Sequence, residues 1–370
     1  MKYKIFVNAK NNHFAGGKTI LLNLIKCANL NSNHNLDYIF YLPKDLSIED
    51  NKNISIIQDD NFNNLYYYFF YCNKLLKKYK IDLVVNISDI PIRTNINQIF
   101  LFDWSYAIYN EDYIWGRLSL KDLIFKKLKK SIFKILRKNI SLYLAQTNTA
   151  KKRLVQFYKI PDKRIEIFPN SISLDHFKSK KNKIELSIKE NKKKFLSLTG
   201  YYPHKNLEIL IDVAKLIKKS NKNYQILLTL ELSKKNRKFI KKIEDLKLNE
   251  VIVNLGSIDQ KNIPFLYSQV DALLLPTLLE SFSGTYIESI YTKTPIFTSK
   301  LDFAIDVCED AAIYFDPFDA KSIFNSMSLI DDKELIRVKI SKYNKLLKKN
   351  ISWKTLFTKL QKMILKELIS

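Results

Sequence analysis

Short runs of consecutive apolar residues, each followed by turn residues or an amphipathic segment, recur along the whole chain. Such runs predict buried parallel strands, because a strand covered on both faces does not alternate between apolar and polar residues. Strands are predicted at residues 3–7, 38–42, 54–57, 83–87, 99–102 and 142–147, and then at 195–199, 225–230, 252–255 and 272–275. Helical segments separate most of them, which indicates a doubly wound α/β fold.

The stretch from residue 271 to residue 303 carries the most information. Its pattern predicts a buried strand at 272–275, a loop, a helix over about 284–293 and a second strand opened by Pro295. The turn between the first strand and the helix suits an anion, because free backbone N–H groups and the helix dipole favour negative charge there. Gly284 also lets a ligand approach the backbone closely.

Two carboxylates flank that turn, Glu280 and Glu288, with Ser283, Gly284 and Thr285 between them. If both carboxylates lay on one helix, a rise of about 1.5 Å per residue would separate their backbones by about 12 Å. Glycosidases hold their paired carboxyl groups closer, roughly 5–9.5 Å apart, around a single bond. A wider pair around a phosphate site suits a ligand with hydroxyls at both ends and a diphosphate in the middle, such as a nucleotide sugar.

Length and cysteine content limit the classes of protein to which the chain could belong. At 370 residues the chain exceeds what one core usually serves, so we expect two domains. No run approaches 18 apolar residues, and the polar first residues do not resemble a signal peptide. Three widely spaced cysteines, Cys27, Cys72 and Cys308, fit neither a disulfide framework nor a zinc site. We therefore expect a protein of the reducing cytoplasm.

The net charge of +25 admits a solvated lysine surface, an anionic membrane or a nucleic acid as explanations. The most basic amphipathic segment is 118–138, whose apolar residues recur at helical spacing at Leu120, Ile124, Leu128, Ile132 and Leu136. Either this helix lays its apolar face on the core, or it lies on anionic lipid. No zinc-finger, RNP or helix-turn-helix pattern supports nucleic-acid binding.

The residues ESFSGTYIE, 280–288, resemble the E-x7-E motif of family 4 of the retaining glycosyltransferases, and the flanking LLPTLLESF, TPIFTS and DAAIYFDPFD resemble the same part of that family. The resemblance implies the GT-B fold, in which two Rossmann-like doubly wound domains face a cleft and a C-terminal helix crosses back to the first domain. It places an acceptor-side domain at 1–177, a donor-side domain at 178–350 and the returning helix at 351–370.

The same resemblance implies roles for residues of the second domain. Glu288 would hold the ribose hydroxyls of the donor, Glu280 would contact the hexose during catalysis, and the backbone around Ser283, Gly284 and Thr285 would take the diphosphate.

A second donor element follows the strand at 195–199. There Gly200 opens a turn, a helix is predicted from about Asn206, and Lys205 resembles the family lysine that neutralises the diphosphate. Tyr201 stands where the family usually has an arginine.

In the first domain, Gly16 and Gly17 resemble the glycine-rich turn that lies near the donor diphosphate and the acceptor. Phe102-Asp103 stands near the point where many relatives have a His-Asp pair, so Asp103 is a candidate catalytic residue by position.

The function implied is the retaining transfer of a hexose from a nucleotide diphosphate sugar to a hydroxyl of a glycan or polyprenyl-linked acceptor, in bacterial surface polysaccharide synthesis such as that of lipopolysaccharide. Family analogy predicts no metal and no cofactor, and a cytoplasmic protein that meets the inner face of the membrane through 118–138. A nucleic-acid partner is not expected. Two alternatives stay open: another GT-B chemistry such as a nucleotide-sugar epimerase, and a basic nucleic-acid-binding protein.

Overall fold

A computed structural model describes residues 2–12, 15–30, 35–46, 48, 54–58, 64–171, 177 and 191–369. The chain divides into two compact units. The first comprises residues 1–111, 118–171 and 351–370, and the second comprises 112–117 and 172–350. The domain boundary predicted after residue 177 adjoins residues 178–190, which lie outside the described part of the chain.

Parallel strands form the centre of the first unit. They are β1 (Tyr3–Asn8), β2 (Leu36–Tyr41), β3 (Ile54–Ile57), β4 (Leu83–Asn86), β5 (Gln98–Phe102), β6 (Leu142–Ala145) and β7 (Ile165–Ile167). Among the described residues they make one seven-stranded sheet in the order β3-β2-β1-β4-β5-β6-β7. The order reverses between β1 and β4, so this pair of strands is the topological switch point of the sheet.

Helices connect these strands. They are α1 (Ala15–Asn29), α2 (Asn64–Tyr66, a π-helical turn at Tyr67–Tyr71, and Cys72–Lys78), the short α3 (Asp112–Trp115), α4 (Leu120–Leu136) and α5 (Asn148–Tyr158). Of these, α3 follows β5 in the chain but belongs to the second unit. The start of α4 is fixed by Ser119, whose Oγ accepts a hydrogen bond from the Asp122 backbone N–H at 3.2 Å. Thr147 caps α5 in the same way, accepting from Ala150 N.

The C-terminal helix, Trp353–Ile369, packs on the first unit. Leu356, Leu360 and Ile364 are buried in the same hydrophobic cluster as α1 and one face of the sheet. The opposite face of the sheet is covered by α2 and the C-terminal part of α4. The predicted return of the last helix to the first domain is therefore confirmed.

The structure divides the apolar stripe predicted for residues 118–138 into two parts. Ile132 and Leu136 are buried with Phe133, whereas Leu120, Ile124 and Leu128 are exposed. A helix of 17 residues is about 26 Å long at 1.5 Å per residue, whereas the five residues of β5 span about 17 Å. Only the C-terminal part of the helix joins the core cluster on this face of the sheet, through Ile132 and Leu136. In the N-terminal half, Lys126 and Lys129 lie over the rings of Tyr106 and Trp104.

A second parallel sheet forms the centre of the second unit. Its strands are β8 (Lys193–Ser197), β9 (Tyr224–Leu228), β10 (Ile252–Asn254), β11 (Ala272–Leu275), β12 (Ile296–Ser299) and β13 (Ile313–Phe315). Their order is β10-β9-β8-β11-β12-β13, with the switch point between β8 and β11.

The helices of the second unit alternate with its strands before a final helical segment. They are α6 (Ile209–Lys219), α7 (Arg237–Asp245), α8 (Ile263–Ser268), α9 (Gly284–Tyr291), α10 (Asp302–Cys308), α11 (Ala320–Ser328), α12 (Lys333–Ser341) and α13 (Tyr343–Leu347). Ligands of open α/β sheets bind beyond the carboxyl ends of the strands at a switch point. In this unit that position lies after Ser197 and Leu275.

Candidate active site

Lys205 and Glu280 meet beyond the carboxyl ends of β8 and β11. The Lys205 Nζ lies 2.5 Å from Glu280 Oε1, and both side chains are largely buried, at 16% and 11% exposure. The hydroxyl of Thr277 donates to the same carboxylate oxygen at 3.1 Å. Lys205 follows β8 and Glu280 follows β11. Because these two strands are neighbours in the sheet, the residues meet although they lie 75 positions apart in the sequence.

Backbone hydrogen bonds hold the loop of Lys205 against the loop of Glu280. The carbonyl of His204 accepts from Leu278 N at 2.7 Å, and the Thr277 hydroxyl oxygen lies 3.3 Å from the same carbonyl oxygen. The lysine ends a short 3₁₀ turn, Pro203–Lys205, and Asn206 after it has a left-handed φ of 56°. The helix predicted from about Asn206 therefore begins only at Ile209. Lys205 presents its ammonium from a rigid turn and not from a helix N-terminus.

The predicted diphosphate turn lies at the start of α9. Ser283 is the N-cap residue, and its hydroxyl bonds to the Thr285 hydroxyl at 2.8 Å instead of capping the helix. The first helical N–H groups are consequently not capped by the Ser283 side chain. The first turn of the helix carries no acidic residue that would repel an anion.

Glu288 lies on the same helix and is half-buried. The Tyr267 hydroxyl lies 3.4 Å from its Oε2 and 3.2 Å from the carbonyl of Thr285. Burial raises the pKa of Glu288 to about 7, and the hydrogen bond from Tyr267 opposes that rise. A half-buried carboxylate with a single neutral donor can still accept hydrogen bonds from a ligand.

Tyr201 and Gly200 belong to the turn after β8. The Tyr201 hydroxyl donates to Glu208 Oε1 at 2.6 Å, and its ring packs on Phe239 with centroids 5.4 Å apart. The residue in the place of the family arginine is thus held by other residues of this unit. A Cβ added to Gly200 would lie 2.8 Å from the ring of Tyr202, so a larger residue would displace that ring.

Gly16 and Gly17 lie within the first turn of α1, which begins at Ala15, and not in a loop before the helix as predicted. A Cβ on Gly17 would come 3.0 Å from Asn12 Nδ2, whereas nothing approaches Gly16 within 4 Å. Asn12 Nδ2 donates to the carbonyls of Gly17 and Ile87, which joins the start of α1 to the chain after β4. Gly17 therefore permits a close contact at the switch point of the first sheet.

Asp103 follows β5 and accepts a hydrogen bond from Gln146 Nε2 at 2.8 Å. It lies after the strand next to β4, one strand away from the switch point. The structure thus places Asp103 at the carboxyl edge of the first sheet, and gives it a structural partner in Gln146.

Two residues of the site were not predicted. Thr277 follows β11 closely, and Tyr267 lies on α8, well before Glu288 in the chain. A Thr three residues before the first glutamate could have drawn attention, but no pattern in the sequence connects Tyr267 with Glu288. Among the residues described, no three histidine, cysteine or acidic side chains lie close enough together to hold a metal ion.

Sequence comparison finds a known family that matches most of the second unit. Residues 178–347 match the family described as "Glycosyl transferases group 1". The chain is also 26% identical over 201 residues to the O-antigen chain mannosyltransferase RfbU of Salmonella typhimurium, an alignment that covers 54% of this chain and 53% of that protein. The matched segment thus spans about half the length of that relative.

Solved structures define the fold. WaaG, a glycosyltransferase involved in lipopolysaccharide biosynthesis, superposes with a TM-score of 0.72 at 15% identity, covering 98% of this chain and 99% of WaaG. Anabaena HepE in complex with UDP and glucose gives a TM-score of 0.68 at 13% identity, covering 98% and 100%. The chain has the GT-B fold of two Rossmann-like parallel-sheet domains. No helix in the described part of the chain is long and apolar enough to span a bilayer.

Proposed function

We propose that this protein is a retaining glycosyltransferase of the family 4 type, which transfers a hexose from a nucleotide diphosphate sugar to a hydroxyl. The observation that carries the proposal is the convergence of Lys205, Glu280 and the start of α9 at the switch point between β8 and β11. The family match over residues 178–347 supports the same activity.

The donor diphosphate is bound by Lys205 and by the N–H groups around Ser283, Gly284 and Thr285. Without donor, Glu280 neutralises the lysine, so the diphosphate must compete with this carboxylate. When the diphosphate pairs with the Lys205 ammonium in place of Glu280, the Glu280 carboxylate becomes available to accept hydrogen bonds from hexose hydroxyls. Glu288 accepts from the ribose hydroxyls at the other end of the donor.

Transfer proceeds by front-face displacement. The bond between the anomeric carbon and the phosphate oxygen breaks, and the bond to the acceptor oxygen forms on the same face. The hydroxyl proton passes to the leaving phosphate, so no protein nucleophile is needed. Lys205 and the start of α9 stabilise the charge that develops on the diphosphate, which is usually the largest catalytic contribution. In this proposal no metal or cofactor takes part.

In the first unit, Gly16, Gly17 and Asp103 lie at the carboxyl edge of the sheet, where ligands of open α/β sheets bind. RfbU, whose name specifies an O-antigen chain mannosyltransferase, supports surface polysaccharide synthesis as the process and mannose as the first hexose to test. The acceptor is accordingly a glycan, free or linked to a polyprenyl carrier.

An acceptor on a lipid carrier requires an enzyme at the membrane, and α4 supplies a surface for this. Leu120, Ile124, Phe125 and Leu128 are 52–72% exposed on the N-terminal half of the helix. Lysines flank these residues on the same helix. Contact of this surface with anionic lipid at the inner face of the cytoplasmic membrane is part of the proposed function.

The decisive experiment incubates the protein with UDP-, GDP- and dTDP-hexoses, with and without a polyprenyl-linked glycan. We expect one donor to be consumed only when acceptor is present, and the anomeric coupling constant in the NMR spectrum of the product to match that of the donor. Product of the opposite anomeric configuration would refute retention. Conversion of the donor sugar without acceptor would instead indicate an epimerase.

A further inference from the structure

A groove on the first unit, remote in sequence from the proposed donor site, carries several positive charges. It lies between α4 and α5, has a volume of about 450 Å³ and is lined by Lys127, Lys130, Lys134, Arg137, Phe157 and Tyr158. We call it the α4–α5 groove. No carboxylate lines it within the described part of the chain. Its volume falls within the range of roughly 300–1,000 Å³ that is usual for small-ligand sites.

The four cations occupy one side of α4 and the turn after it. Residues three and four positions apart are neighbours on a helix, and like charges at that spacing destabilise it. Burial lowers the pKa of Lys130, and the carboxylate of Glu111 partly opposes that shift. Glu111 itself is paired with Arg153 at 2.9 Å. The groove therefore keeps a surplus of positive charge that an anion would neutralise.

Arg137 is held in place at one end of the groove. Its Nη1 donates to the carbonyl of Tyr158 at 3.1 Å, and its guanidinium lies 5.5 Å from the centre of the Tyr158 ring. The carbonyl of Arg137 accepts from the Tyr143 hydroxyl at 2.8 Å. Its Nε is buried and has no hydrogen-bond acceptor among the residues described. The guanidinium is thus positioned by Tyr158, and no carboxylate among the described lining residues offsets its charge.

We propose that the α4–α5 groove binds a phosphate ester. A tetrahedral anion can accept from several ammonium groups at once and from the planar guanidinium, which is the geometry that lysine and arginine recognise in phosphates. The phosphate could be that of a free small molecule or that of a lipid headgroup. The exposed apolar residues of α4 lie on the adjoining flank of the same helix, a position that suits the chains of a lipid.

The test uses the full chain and two double variants of equal charge. Lys127→Gln with Lys134→Gln removes two exposed charges of the groove, and Lys238→Gln with Lys241→Gln removes two exposed charges of α7 as the control. Calorimetric titration with soluble dihexanoyl phosphatidic acid, at physiological ionic strength, should show at least tenfold weaker binding for the groove variant. The control should stay within twofold of the wild type.

Additional arms distinguish the two sources of phosphate. Inorganic phosphate that binds as tightly as the lipid phosphate, and is lost in the groove variant, would support the site and assign it to a free anion. Stronger flotation with phosphatidic acid vesicles than with phosphatidylcholine vesicles, lost in the same variant, would support a headgroup.

Equal weakening in both variants would overturn the proposal, because general net charge would then explain binding. Unchanged binding in the groove variant would overturn it as well. An oligonucleotide is titrated in the same way. If the groove variant binds it more weakly but binds both phosphate ligands as the wild type does, the groove is a nucleic-acid surface and not a phosphate-ester site.

Discussion

Lys205 and Glu280 form an ion pair of 2.5 Å in which both partners are largely buried and the acid also accepts from Thr277. The residue proposed to bind the diphosphate is thus already neutralised by the residue proposed to contact the hexose. Donor binding must exchange one anion for another at the same ammonium. Before the donor arrives, the pair leaves neither side chain without a partner of opposite charge in this largely buried position.

Replacing Glu280 by Gln should therefore have opposite effects on binding and on turnover. The lysine loses its competitor, so the free nucleoside diphosphate should bind more tightly, by about threefold or more. Turnover should fall, because the glutamine contacts the hexose less strongly than a carboxylate does. Calorimetry and a steady-state assay measure the two effects. Weaker nucleotide binding in Glu280→Gln would show that Glu280 does not compete with the diphosphate for Lys205.

Lys205→Met should lower kcat by about 10²–10³, the usual cost of losing one preorganised group that stabilises developing charge. The change retains most of the aliphatic stem but leaves Glu280 without its cation, so folding must be monitored by a thermal melt. The double variant Lys205→Met with Glu280→Gln removes that unpaired charge and should regain stability without regaining turnover. Near-normal turnover in either variant would assign the diphosphate to another group.

Tyr201→Phe tests whether the tyrosine compensates for the absent arginine. Burial, together with the neighbouring Glu208 carboxylate, raises the pKa of Tyr201 above its usual value, so the phenol stays neutral and supplies no positive charge. We expect turnover to stay within about twofold and stability to fall by about 1 kcal/mol, the usual value of one hydrogen bond. A tenfold loss of turnover would instead give the hydroxyl a role in donor binding.

Glu288 should make nucleotide binding dependent on pH. Ribose hydroxyls donate to the ionised carboxylate, whose pKa in the free protein is about 7. Affinity for the nucleoside diphosphate should rise by up to tenfold per pH unit below 7 and level off above it. Glu288→Gln should bind more weakly at pH 8 and show little of this dependence. A wild-type affinity that does not change between pH 6 and pH 8 would contradict the role of Glu288.

The same carboxyl group should also affect folding stability, with a definite sign. The folded state keeps a proton on Glu288 up to about pH 7, whereas the unfolded chain releases it near the ordinary glutamate pKa of 4.5. Stability of the ligand-free protein therefore falls as pH rises through that window. Glu288→Gln removes this loss, so the variant should be more stable than the wild type at pH 8 and little different at pH 4.

Two aromatic residues of α4 separate membrane contact from core packing. Phe125 is 62% exposed, whereas Phe133 is fully buried. Phe125→Ser with Leu128→Ser should leave the melting temperature unchanged and weaken binding to anionic vesicles. Phe133→Ser should destabilise the protein by about 3–5 kcal/mol, as truncation of a buried aromatic does. Vesicle binding that survives the first double change would remove the membrane from the proposed function.

Some of this architecture could be predicted from the pattern of apolar residues. Runs such as Ala272–Leu275 are long enough for a strand, wholly apolar and bounded by turn residues, so β11 was predicted at its observed bounds. The exposed half of α4 could not be predicted in the same way. Periodicity marks which side of a helix is apolar, but what covers that side depends on which elements of the fold pack beside it.

The site depends on a different kind of information. Lys205 and Glu280 are far apart in the sequence and meet because β8 and β11 are neighbours, which periodicity cannot show. Resemblance to a known family supplied both residues as candidates. It did not supply Tyr267, because the contact of that tyrosine with Glu288 depends on how α8 packs beside α9. The resemblance also did not predict the ion pair between Lys205 and Glu280.

The return of the last helix to the first unit affects the order in which the chain can fold. Residues 172–350 separate the last segment of that unit from its earlier segments, and synthesis at about 5–20 residues per second takes roughly 10–40 s to pass them. During this time the positions that Leu356, Leu360 and Ile364 will fill on the first sheet stay open to water. The second unit can complete its own core first. Until the last helix joins it, the first unit therefore lacks part of its hydrophobic core.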